Sequence, residues 1–227
     1  RHSRNIPLFI NPEHHTKLAI KLDEKLTSKN RNNLRKFFEI IDLKISKKSG
    51  VQYKKAKTIE EKFDILKNSR LYPANTLVIP RGIRKEAGIS ILEVNTILST
   101  NFVPIFPRLD DSEISLLTLS WLVSVFGQVQ FEEVSNNEDG MRKIEINNVR
   151  KLFIPKYNKM DKNTKEKIIK ILYNNSNTLI KDLSKHQTPQ LNELDIVWAT
   201  YLFGEDYDEK LNDITNLLEI LVENRIN

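Results

Sequence analysis

Leu77-Val78-Ile79-Pro80-Arg81-Gly82-Ile83-Arg84-Lys85 is the stretch at which this sequence changes its grammar. Upstream of it, apolar residues recur at helical spacing. Here, a short β-rich run over Asn75–Ile79 is closed by a proline that cannot donate to a sheet ladder. The loop that follows carries three basic side chains and a flexible glycine. Downstream, Ile89, Ile91, Val94 and Ile97, then Phe102, Val103, Ile105 and Phe106, keep the closer spacing of strands. The sequence therefore predicts several strands of a small curled sheet beginning near residue 71.

Working outward toward the N-terminus, three helices are expected. Residues 12–26 place Leu18, Ile20, Leu22 and Leu26 among charged neighbours, with Pro12 and Glu13 suited to the first turn. Asn32–Ile41 carries Leu34, Phe37, Phe38 and Ile41 on one face. Thr58 followed by Glu61 is a capping-box pattern opening a helix with Ile59, Phe63, Ile65 and Leu66. Between the last two, Lys44–Lys57 holds six lysines and no apolar period, the pattern of a polar connector or exposed hairpin.

Toward the C-terminus, Asp110–Phe126 reads as a helix with acids at its start and Gly127 as its stop. Gln128–Val134 and Met141–Ile146 read as two strands around a polar turn ending in Asp139-Gly140, a strong hairpin signal. Ile154-Pro155 closes the strand region and Asp161–Leu172 is helical again. Asn174–Pro189 reads as a polar loop with one helical turn at Leu179–Leu183. Two helices finish the chain, Leu191–Phe203, stopped by Gly204, and Asp206–Glu223, whose Leu211, Ile214, Leu218 and Leu221 form a packing seam. Trp121, Leu122 and Phe126 are expected in the core, with Trp198 and Tyr201 packing the final helices against it.

The 227 residues are 39% hydrophobic and 29% charged, which is globular and excludes a disordered or fibrous chain. With no cysteine, thiolate metal sites, disulfide scaffolds and cysteine nucleophiles are excluded, and a cytoplasmic location is expected. No signal peptide or membrane span is visible, and the start at Arg1 suggests a fragment. The net charge of +6 is unevenly spread. Residues 1–85 carry 21 basic and 8 acidic side chains, residues 86–190 carry 13 of each, and residues 191–227 carry 2 basic against 9 acidic. A basic front of that density attracts phosphate, although lysines that merely keep helices in water are the plain alternative.

Catalytic patterns are missing. The six glycines form neither a dinucleotide-binding nor a P-loop motif. Adjacent His14 and His15 cannot share one helix face as zinc ligands, His2 reads as part of a stray terminus, and His186 has no evident nucleophile partner. Acid-x-Lys tripeptides at Asp23, Asp42, Glu60 and Asp208 are no more than such a charged chain would contain by chance.

Leu77-Val-Ile-Pro-Arg-Gly, then Ser99-Thr-Asn-Phe, then the helix Leu116–Gln130, then a strand from Ile144 to Pro155 resembles the target-recognition domain of restriction-modification proteins. Such domains occur in type I specificity subunits and at the C-terminal end of adenine-N6 DNA methyltransferases and type IIG restriction enzymes. Leu191-Asn-Glu-Leu-Asp195 and Leu202-Phe-Gly204 resemble the segment that follows the domain in the methyltransferase branch. The likeness covers roughly residues 71–227. The Gly-rich S-adenosylmethionine loop and the Asn/Asp-Pro-Pro-Tyr/Phe motif of that family's catalytic half are absent, Asn11-Pro12 being followed by Glu13, and no second recognition domain repeats.

The resemblance does not reach residues 1–70, which periodicity and charge make a basic helical segment; with it, the sequence implies an α+β fold with a small mixed-sheet recognition domain over 71–190 and an acidic helical pair over 191–227. The resemblance implies double-stranded DNA as partner, beside a catalytic methyltransferase domain or subunit that holds S-adenosylmethionine. No cofactor is expected in this chain, and no membrane. Candidates for reading base edges are Arg81, Arg84, Lys85, Asn136, Asn137 and Arg142, then Thr100 and Asn101. Lys54, Lys55, Lys57, Arg108, Lys143 and Lys156 are candidates for phosphate. A charged turn is the plain alternative for 81–85, and a hydrogen-bonded turn for 99–101. Two other functions stay open: a metal-dependent nuclease with its site in the front, around Asp42, and an interaction module whose acidic C-terminal helices dock a basic protein.

Overall fold

The computed structural model describes residues 8–10, 71–83, 88–98, 101–106, 111–138, 140–176 and 189–226. The helices expected over 12–26, 32–41 and 58–66, and the turn at Leu179–Leu183, lie outside these residues. The chain divides into two compact units, Arg1–Thr16 with Tyr72–Asn227, and Lys17–Leu71. The first unit is an α+β fold, and the C-terminal helices belong to it.

Its strands are β1 (Phe9–Ile10), β2 (Leu71–Tyr72), β3 (Leu77–Pro80), β4 (Gly82–Ile83), β5 (Ser90–Leu92), β6 (Thr96–Ile97), β7 (Phe102–Ile105), β8 (Asn136–Glu138) and β9 (Met141–Lys143). Its helices are α1 (Ser112–Val123), α2 (Val125–Val134), α3 (Ile146–Val149), α4 (Lys162–Asn174), α5 (Pro189–Phe203) and α6 (Tyr207–Ile226).

Four strands form a mixed sheet in the order β1-β5-β3-β7. β3 lies between two antiparallel neighbours, with Leu77 opposite Ile91 and Ile105, and all four of its residues are buried. That is why Leu77-Val78-Ile79 is apolar without alternation. β1 joins β5 in parallel, a strand with no signal in the sequence. The strand expected from Asn75 begins two residues later, because Asn75 sits at φ 64° in a turn. An asparagine tolerates that left-handed conformation, which ends an extended run.

Three expectations fail between residues 110 and 155. The long helix breaks at Ser124, not at Gly127, and the two halves meet at a 71° bend. Gln128–Val134, expected as a strand, is the body of α2. Its alternation of polar and apolar residues misleads because the buried face of this helix includes Gln128 and the Glu132 side chain as well as Phe131. The hairpin is formed instead by β8 and β9, with Gly140 at φ 71° in its turn. Likewise Ile144–Pro155 is not a strand: Ile146–Val149 is a helical turn, with Glu145 and Asn148 exchanging capping hydrogen bonds.

The bend is satisfied internally. Ser124 Oγ donates to the Trp121 carbonyl at 2.6 Å and Gln128 Nε2 to the Leu122 carbonyl at 2.8 Å, occupying oxygens that end α1. The Val125 N–H donates to Asp195 Oδ1 of α5 at 2.8 Å. A side-chain carbon on Gly127 would lie 2.4 Å from the Trp121 carbonyl oxygen, so this close approach needs glycine.

Trp121, Leu122 and Phe126 are buried as expected. Trp121 stacks on Phe126 with centroids 5.3 Å apart and meets Trp198 edge-on at 5.1 Å. Trp198 of α5 is fully buried and touches Tyr201 as well. Leu218 of α6 is buried, with Leu211 and Ile214 packed against the same core, so the seam of the last helix is used within the chain. Among the described residues no single helix is long and apolar enough to cross a membrane.

Candidate functional site

The main-chain turn at Arg81 joins the four-stranded sheet to a three-stranded one. Its N–H donates to the Asn101 carbonyl at 2.8 Å, beside the four-stranded sheet, and its own carbonyl accepts from Ile144 N–H at 2.8 Å, beside β9. β4, β9 and β8 then form a three-stranded sheet with Gly82 opposite Lys143, Lys143 opposite Asn136, and Arg142 opposite Asn137. Adjacent strands lie about 4.8 Å apart, so Gly82 and Asn136 are separated by about 10 Å across β9. Five candidates are therefore neighbours in this small sheet and its turn, Arg81, Asn101, Asn136, Asn137 and Lys143, with Asn136 on the face of Lys143 and Asn137 on the face of Arg142. Asn101, Asn136 and Asn137 are exposed and Arg81 is half-buried.

Lys143 stands on the sheet face opposite to Arg142, because side chains alternate. Its ammonium donates to Glu138 Oε1 at 2.8 Å across the hairpin, which raises its pKa above the ordinary lysine value. Both partners are in water, so the pair is weak and opens readily to another anion.

Arg142 has a different position. It is 2% exposed, its Nε lies 3.2 Å from Glu132 Oε1, and both terminal nitrogens donate to Gln128 Oε1 at 3.4 Å. Arg225 approaches the same carboxylate from the end of α6: Nε donates to Glu132 Oε2 at 2.7 Å and another nitrogen to the Gly140 carbonyl in the hairpin turn. One carboxylate thus ties α2, the hairpin and α6 together, and Arg142 anchors the surface from beneath. Glu132, Gln128 and Arg225 gave no separate signal in the sequence, since their contacts span up to 93 residues.

Lys156 is exposed in the segment after α3, away from the hairpin in sequence, where Pro155 and Tyr157 on either side are buried. Arg84, Lys85, Thr100, Arg108, Lys54, Lys55 and Lys57 lie outside the described residues. So do Asp23, Asp42 and Glu60 of the nuclease alternative, whereas Asp208 is exposed on α6. Among the described residues no group of three His, Asp or Glu side chains is placed to hold a metal.

Residues 15–188 match the family of the specificity domain of restriction endonuclease BpuSI. The chain belongs to that family. The crystal structure of the type IIG restriction endonuclease BpuSI is similar to this specificity domain with a TM-score of 0.74 and 25% identity, covering 99% of this chain and 26% of that one. The specificity domain thus spans about a quarter of the length of that enzyme. No curated protein matches it.

Proposed function

We propose that this chain reads duplex DNA sequence for a type IIG restriction enzyme, as its specificity region. The observation that carries this is the family match over 15–188, supported by the likeness over 99% of the chain to a type IIG endonuclease. The hairpin surface suits the task. Arg81 offers a planar fork that pairs with guanine, and Asn136, on the Lys143 face of the hairpin, offers an amide that pairs with adenine, while the buried Glu132 clamp keeps the hairpin from shifting. Lys156 and the basic front would position the backbone without reading it.

The finer reading is that the parent is an adenine-N6 methyltransferase joined to an endonuclease, with S-adenosylmethionine held in the catalytic portion, and that it acts in the cytoplasm. Two observations support a longer parent of the methyltransferase branch: the likeness of Leu191–Asp195 and Leu202–Gly204 to the segment that follows the domain there, and a solved relative of which this chain corresponds to about a quarter.

Arg81→Ala and Asn136→Ala test the reading role. Each is expected to relax preference at one base pair, at a cost of about 1 to 3 kcal/mol for the preferred base. Lys156→Gln should weaken binding to all duplexes alike. Unchanged base preference in both reading variants would remove the hairpin surface from recognition.

A further inference from the structure

Phe153 is the most exposed large apolar side chain among the described residues, at 66%. Its backbone is held from both sides by the bent helix pair. The Phe153 N–H donates to Gln130 Oε1 of α2 at 2.6 Å, and its carbonyl accepts from the indole N–H of Trp121, at the end of α1, at 2.8 Å. Leu152 and Ile154 on either side pack against the core, and Pro155 is buried. The ring is therefore presented from a fixed backbone, not carried on a loose loop tip.

The segment that carries it is cationic. From Ile146 to Met160 the chain has Arg150, Lys151, Lys156 and Lys159 and no acidic residue. All four are exposed, and among the described residues none is in a salt bridge. An apolar peg on a basic segment is complementary to a polyanion with an apolar interior, which describes stacked bases between phosphates. A protein anchor would more commonly be rimmed by charges of both signs.

We propose that Phe153 is a wedge for duplex DNA: the ring leans into a groove against one base step while Arg150, Lys151 and Lys156 hold the flanking phosphates. The inference rests on the reading of the chain as a duplex-DNA binder and adds to it a second contact element, separate from the hairpin.

The test uses the full 227-residue chain and duplexes that it enriches from a random pool, labelled with 2-aminopurine at successive positions. With the unaltered chain, fluorescence is expected to rise at one step as the ring loosens its stacking. Phe153→Ala should abolish that rise and weaken binding about tenfold with the salt slope unchanged, and Phe153→Trp should restore both. Lys151→Gln should lower the slope by about one. The thermal midpoint of Phe153→Ala serves as the folding control, expected to be unaltered for so exposed a ring. Unchanged affinity and fluorescence in Phe153→Ala overturn the wedge while leaving DNA reading intact, and so does a loss confined to association with the catalytic portion. Absence of any duplex binding by the unaltered chain at low salt overturns the DNA reading itself and the wedge with it.

Discussion

Glu132 holds two guanidiniums with one buried carboxylate, and the hairpin depends on it. Burying three charges is costly, and it is offset here by the hydrogen bonds to Gln128 and to the Gly140 carbonyl. Glu132→Gln leaves both arginines without a counter-charge and should destabilise the fold by about 3 to 5 kcal/mol, read by urea unfolding. A loss below about 1 kcal/mol would mean that the clamp is not what holds the hairpin. Asp195 makes a pH-dependent contribution. Burial pushes its carboxyl up to about 7, partly opposed by the Val125 N–H that it accepts. The folded chain therefore keeps a proton that the unfolded chain releases near pH 4. That stability is full below pH 4 and is lost as pH rises through about 7. Compared with Asp195→Asn, which keeps the acceptor and never ionises, the native protein should lose thermal stability between pH 4 and 7 and change no further above it. A pH-independent difference in melting temperature would contradict the assignment. Of these residues, Arg142 was legible as part of a hairpin, but its burial was not, because Glu132 and Arg225 reach it only through the fold.

Among the elements, the bent α1–α2 pair explains most of what sequence reading missed. The apolar run Leu116–Phe126 is visible as a buried helix because its composition admits little else. The break at Ser124 is invisible, since its oxygens are satisfied by Ser124 and Gln128 and the start of the next helix is capped by Asp195, 70 residues away. Gly127 is the punctuation mark the sequence offers, and it reads as a stop. Its actual service is to let α2 pass the Trp121 carbonyl. Gly127→Ala should cost about 3 kcal/mol, through collision with backbone that cannot yield, whereas glycine to alanine within an unobstructed helix gains up to about 1. Chemical denaturation distinguishes the two signs. The strands of the four-stranded sheet are more legible, because β3 is apolar throughout and β5 carries Ile91-Leu92 beside Ile89. β1 is not, because two residues carry no period.

For the whole molecule, fold class and the region of the candidate site followed from the order of the pieces between residues 77 and 155. The individual side chains did not, because exposure on the hairpin is decided by pairing register and by partners distant in sequence. The uneven charge has a structural counterpart at the C-terminal end, where acidic α6 supplies Leu218 to the core and Arg225 to the clamp. Removing the chain after Gly204 should therefore unfold the first unit, not merely detach a docking helix. The most direct measurement of the central claim is selection by the purified chain from a random duplex pool, together with affinity for the selected and mixed-sequence duplexes across a salt series. Sequence reading predicts one enriched motif, bound at least a thousandfold more tightly than mixed sequence, with affinity for both falling steeply as salt rises. Salt-sensitive binding with no enriched motif would contradict it.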